Sequence, residues 1–117
     1  MTTTSVLATW RDVFADAVRN DGPDLSMRQW AILLKVYLSP GRHTVRALAS
    51  DLNVPKPAVS RALDALSILG FVRRVRDPED KRIVLVQKTS EGALYVDGFA
   101  KLVEDRLAGP KVSALYG

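Results

Sequence analysis

Apolar positions recur along this chain with the period of a helix in five separate stretches, and two short stretches between the last two of these show the alternation of strands. Val6, Trp10, Val13, Phe14, Ala17 and Val18 fall on one side of a segment whose other side carries Arg11, Asp12, Asp16 and Arg19, which predicts an amphipathic helix over residues 4–19. Asn20-Asp21-Gly22-Pro23-Asp24 ends it. A second helix is expected from Ser26, a candidate cap, to Leu38; Trp30, Ile32, Leu33, Leu34, Val36 and Tyr37 make it apolar on more than one face, as in a buried helix. After the stop at Ser39-Pro40-Gly41, Thr44 is placed to cap a short helix, Val45 to Leu52, with Arg46 and Asp51 facing outward.

The fourth helix, residues 55–69, enters through Val54-Pro55-Lys56-Pro57. Prolines are tolerated there because the first N–H groups of a helix have no internal partner. Val59, Ala62, Leu63, Leu66 and Leu69 form its inward stripe, and Gly70 is its C-terminal stop. Lys56, Pro57, Ser60 and Arg61 remain on the opposite face near the start, where the helix dipole favours an anion. Two strands, Phe71 to Arg76 and Ile83 to Gln87, then flank the charged turn Asp77-Pro78-Glu79-Asp80, so residues 71–87 read as a β-hairpin. A last helix, residues 90–107, capped by Thr89 or Ser90, carries Leu94, Tyr95, Phe99, Leu102, Val103 and Leu107; Gly92 and Gly98 weaken it locally. The expected fold is mainly α with one small β-hairpin.

Charge sharpens this picture. The chain has 117 residues and a net charge of +4. Arg42 to Lys88 contains ten basic residues against five acidic ones, and the remainder seven against eight, so the positive excess lies in the middle. An adjacent helix and basic hairpin facing one polyanion suggest double-stranded DNA as the partner; a solvated basic surface is the bland alternative. Forty-seven per cent apolar content fits one ordinary domain. There is no cysteine, which removes disulfides, thiolate metal sites and thiol redox chemistry together. A single His, no metal-ligand spacing, no glycine-rich phosphate loop and no Ser with a base nearby leave no catalytic constellation, so an enzyme is not expected, nor a metal or cofactor. No leader and no membrane-spanning run is read in the chain, and a cytoplasmic, nucleoid-associated protein is expected.

Leu48-Ala49-Ser50-Asp51-Leu52, Ser60-Arg61-Ala62-Leu63-Asp64-Ala65-Leu66, Leu69-Gly70-Phe71-Val72-Arg73-Arg74, Asp77-Pro78-Glu79-Asp80-Lys81-Arg82 and Thr89-Ser90-Glu91-Gly92 together resemble the winged helix-turn-helix core of the MarR family of bacterial transcription regulators. The resemblance covers roughly residues 26–98, and the wing is its most specific element. It implies a homodimer on a palindromic operator, with the fourth helix of each copy in a major groove and the wing at the minor groove. It implies Ser60 and Arg61 as recognition-helix contacts, Arg82 as the wing arginine and Asp80 as the acid that orients it. Arg suits a narrow groove of negative potential because its guanidinium is planar and always charged. Thr44, Lys56, Pro57, Arg73, Arg74, Arg76 and Lys81 complete the expected DNA face, mostly as backbone contacts.

The expected division is a core over residues 26–88 within one domain, with dimerisation segments at 4–19 and 90–117. Val6, Trp10, Val13, Phe14, Leu94, Phe99, Leu102, Val103 and Leu115 are the candidate interface. Two departures from the family stand out: Lys88-Thr89 replaces the usual Leu-Thr, and the chain stops at Gly117 where typical members continue through a further helix. A small-molecule effector has no support, since Trp10, Trp30, Tyr37 and His43 are each better read as core or turn residues. A winged-helix module that docks an acidic protein instead of DNA is the alternative function.

Overall fold

Each predicted helix forms because one of its faces has somewhere to be buried. The computed structural model describes residues 2–109. Its elements are α1 (Thr3–Arg19), α2 (Met27–Leu38), α3 (Val45–Leu52), α4 (Lys56–Ile68), β1 (Val72–Arg76), β2 (Val84–Lys88) and α5 (Ser90–Leu107). They pack as two compact units, a contiguous one from Leu25 to Val96 and another made from residues up to Asp24 together with those from Asp97 onward.

In the contiguous unit the core joins Ile32, Leu33 and Val36 of α2, Leu48 and Ala49 of α3, and Val59, Ala62, Leu63 and Leu66 of α4 to Phe71, Val72 and Val86 of the hairpin region. Ile32, Leu33, Val36, Val59, Leu63 and Leu66 are wholly buried, each worth about 1.5–3 kcal/mol in apolar transfer. Local chemistry sets the element ends. Ser26 and Gln29 form a reciprocal capping box at the start of α2, and the Thr44 hydroxyl accepts from the Ala47 N–H at the start of α3. Gly70 takes a left-handed conformation (φ +81°), which lets the Phe71 N–H reach back to the Leu66 carbonyl and stop α4.

That cap explains why β1 starts at Val72 instead of at the expected Phe71, which is buried in the core. At the other strand the Ile83 N–H closes the tip turn on the Asp80 carbonyl, so β2 starts at Val84. The strands pair antiparallel, from Val72 opposite Lys88 to Arg76 opposite Val84. A third short partner was not anticipated: Thr44 bridges to Leu85, and the Val86 N–H donates to the His43 carbonyl.

The entry to α5 corrects the expectation that Gly92 is merely a weak spot. The Tyr37 hydroxyl donates to the Phe71 carbonyl (2.7 Å) and accepts from the Thr89 N–H (3.0 Å). The Thr89 hydroxyl donates to the Gly70 carbonyl and accepts from the Gly92 N–H, making Thr89 the cap. A Cβ at position 92 would overlap both the Tyr37 hydroxyl and the Phe71 carbonyl, whereas one at Gly98 would meet nothing. Tyr95 then stacks on Phe71 and on Trp30.

In the other unit, α1 is capped by Thr2 and tied to the end of α5 by a two-bond fork from the Arg106 guanidinium to Asp16, at 2.6 and 2.8 Å. Among the described residues no helix is long and apolar enough to cross a membrane.

Candidate nucleic-acid interface

Because Ala58, Val59, Ala62 and Leu63 are turned into the core, α4 presents Lys56, Pro57 and Arg61 fully outward and Ser60 partly so. Asp64 continues the same face one turn on, and its carboxylate is taken by Arg74 of β1. The hairpin is thereby joined by a side chain to the exposed face of α4. Arg74, expected as a backbone-holding cation, is ion-paired with Asp64 in the free chain.

The other wing cations are placed with similar definition. Arg73 donates across the ladder to Gln87, and Arg76 donates to the Lys81 carbonyl (2.8 Å), closing the tip from beneath. Lys81 itself is exposed. The Arg82 side chain is 91% exposed, yet its Nε and Nη2 each donate to Asp80 at 3.0 Å and its backbone N–H donates to the same carboxylate. The arginine is therefore exposed to solvent while paired to the Asp80 carboxylate. The Arg82 guanidinium, then its backbone N–H, hold the Asp80 carboxyl below its usual range; Asp80 in turn raises Arg82.

A groove of about 520 Å³ lies between the start of α3, the start of α4 and the wing, lined by Thr44, Val45, Arg46, Lys56, Asp80, Arg82, Ile83 and Val84. Thr44 is thus at once the α3 cap, a strand partner and part of this groove. Arg46 was read only as outward-facing, but it joins Lys56 and Arg82 here. Its signal in the sequence was its place two residues after the cap Thr44, in the first turn of α3. Arg46 and Lys56 also flank a second hollow with Ser50 and Asn53, where the left-handed Asn53 (φ 53°) turns the chain from α3 to α4. Arg61 lies on the same helix face but outside the groove lining.

Of the expected interface residues, Val6, Trp10, Phe14 and Leu94 are exposed, and Phe99, Leu102 and Val103 are partly buried. Val13 is fully buried within the chain and contributes no surface, while Leu7 and Val18, not expected there, lengthen the exposed stripe of α1. Leu115 lies outside the described residues. Among the described residues no group of three His, Cys, Asp or Glu side chains is placed to hold a metal ion.

Residues 25–84, the stretch holding α2, α3, α4, the groove and most of the wing, match the model of the MarR family. The chain belongs to the MarR family. A curated relative, the HTH-type transcriptional regulator YhbI of Bacillus subtilis, is 32% identical over 74 residues, 63% of this chain and 47% of that protein. This MarR-family chain spans about half the length of the curated relatives it matches. The crystal structure of MarR superposes with a TM-score of 0.63 at 30% identity, covering 70% of this chain and 55% of that one. A structure of overoxidised AbfR bound to DNA superposes at 0.62 with 20% identity, over 69% and 59% of the two chains, a likeness of fold. The MarR-family fold is thus a winged helix-turn-helix, with α3 and α4 as its helix pair and β1–β2 as its wing.

Proposed function

We propose that this chain is a transcription regulator that binds double-stranded DNA at specific sites as a homodimer, with α4 in the major groove and the wing tip at the minor groove. The observation that carries this reading is the convergence of Arg46, Lys56 and an Asp80-paired Arg82 on one groove, with Arg61 on the neighbouring helix face. Lys56 and Arg46 would contact phosphates, Ser60 and Arg61 base edges, and Arg82 the narrow groove, where a guanidinium meets concentrated negative potential. Thr44, Pro57, Arg73, Arg76 and Lys81 border this face. The exposed apolar stripe Val6, Leu7, Trp10 and Phe14 of α1, with Phe99, Leu102 and Val103 of α5, is the surface we assign to the second copy. A dimer of this kind reads two half-sites related by its own two-fold axis, hence a palindromic operator, and such a regulator works on the nucleoid in the cytoplasm.

The test is selection of bound duplexes from fragmented genomic DNA, followed by titration of the enriched site. A palindrome is expected, with affinity falling steeply as salt rises. Arg61→Ala should relax base preference at a cost of about 1–3 kcal/mol. No enriched site, or unchanged binding in both Arg61→Ala and Arg82→Ala, would overturn the reading and favour a winged-helix module that docks an acidic protein.

A further inference from the structure

Asp77 is the buried charged side chain among the described residues, 5% exposed, and nothing in the DNA-binding reading uses it. It sits where the ladder of the wing ends: its own N–H donates to the Ile83 carbonyl just past the Arg76–Val84 pair. One carboxylate oxygen accepts from the Glu79 N–H (3.0 Å), fixing the first bend of the tip. The other is held at 3.1 Å by Nη1 of Arg42, which comes from the loop between α2 and α3. That loop is itself immobilised on both sides of Arg42. His43 bonds through Nε2 to the Ser39 carbonyl, the His43 carbonyl accepts from Val86, and Thr44 bridges to Leu85.

From this geometry we infer that Arg42 and Asp77 form a clamp that sets the angle of the wing tip against the helix-turn-helix, and that Arg42 is a positioning residue for Arg82 that need not touch DNA. The inference rests on the DNA-binding reading above. Its physical basis is that a two-stranded ribbon is marginal on its own and twists freely at its tip. Here the strands are pinned at mid-length by His43 and Thr44, and Arg42 ties the point where the ladder gives out to the loop between α2 and α3. A buried carboxylate without its guanidinium turns outward to water, because an unpaired buried charge is costly. The turn holding Asp80 and Arg82 would move with it.

The full-length chain decides this with Arg42→Ala, a substitution at a side chain 60% exposed that leaves the core intact, and with Arg42→Lys as the conservative rescue. In Arg42→Ala the Glu79 amide should exchange faster by at least tenfold, with the melting temperature little changed, and Arg42→Lys should recover part of the protection. On a duplex selected by the wild-type chain, affinity should fall about fivefold, the upper end of what a solvent-exposed ion pair is worth. The dependence of log affinity on log salt should keep its slope, whereas losing a phosphate contact would lower it by about 0.9. In an Arg82→Ala background, Arg42→Ala should add nothing. A reduced salt slope would overturn the inference by making Arg42 a direct contact; unchanged Glu79 exchange, unchanged affinity, or full additivity with Arg82→Ala would overturn it too. If the wild-type chain selects no duplex, the reading beneath it falls and the inference with it, a failure visible before any variant is made.

Discussion

At the wing tip, Asp80 is ionised more readily than an ordinary carboxyl because Arg82 surrounds it with three donors. The direction fixes the pH window. A carboxyl whose folded value lies below its unfolded one contributes organisation that is fully present above the ordinary value of 3.8 and lost as pH falls through the lower folded value. The Arg82 Nε–H resonance should therefore stay constant from about pH 8 to about pH 5 and move only in stronger acid. A midpoint near neutrality would contradict the fork. Gly92 is a second residue whose role is local and severe. Gly92→Ala should cost about 2–3 kcal/mol, because the overlap is partly with backbone that cannot swing aside. The melting temperature should drop by roughly 10 °C; a change within a degree or two would show that α5 can shift past Tyr37.

Among the elements, α4 begins in a way that changes where its binding capacity resides. Its cap is Pro55, which offers no side-chain bond, and Pro57 has no N–H. Ala58 and Val59 both donate to the Pro55 carbonyl. Of the donors that a helix start leaves open, the Lys56 N–H is what remains, so phosphate affinity at this end has to come chiefly from the Lys56 ammonium and less from backbone amides. Lys56→Ala should lower the salt slope of duplex binding by about 0.9. An undiminished slope would place Lys56 off the phosphates. For α3, Thr44→Ala should cost about 1 kcal/mol in denaturant titrations through loss of the cap. The element limits were largely legible in the sequence, since apolar period, capping residues and Gly70 are local signals. What escaped was lateral: Arg42 on Asp77, Arg74 on Asp64, Thr44 beside Leu85, and the space that Tyr37 denies to a side chain at 92. Each depends on packing that brings distant segments together, and a list of basic residues has no means of saying which of them already have partners.

For the whole molecule, the positive charge of the middle segment is unevenly committed: Arg42 and Arg74 are paired with acids, and Arg73 and Arg76 bond to neutral acceptors within the wing. The exposed cations at the groove, on the neighbouring face of α4 and at the wing tip are Arg46, Lys56, Arg61, Lys81 and Arg82. A companion expectation concerns α1, where Trp10 and Phe14 lie against each other on an exposed stripe. Replacing both by Ala should convert a dimer to a monomer in light scattering and weaken operator binding by at least tenfold; a wild-type chain that is already monomeric would refute the assignment. The division into units also has a consequence in time. Residues 25–96 form one uninterrupted stretch, whereas the other unit is closed by Asp16 and Arg106 from distant parts of the chain. As the polypeptide leaves the ribosome, the winged unit can fold as soon as Val96 is clear, while α1 must wait for Arg106. Newly made chains thus gain their helix-turn-helix before the clasp that completes the other unit, and Val13, wholly buried in the finished chain, stays uncovered through that interval.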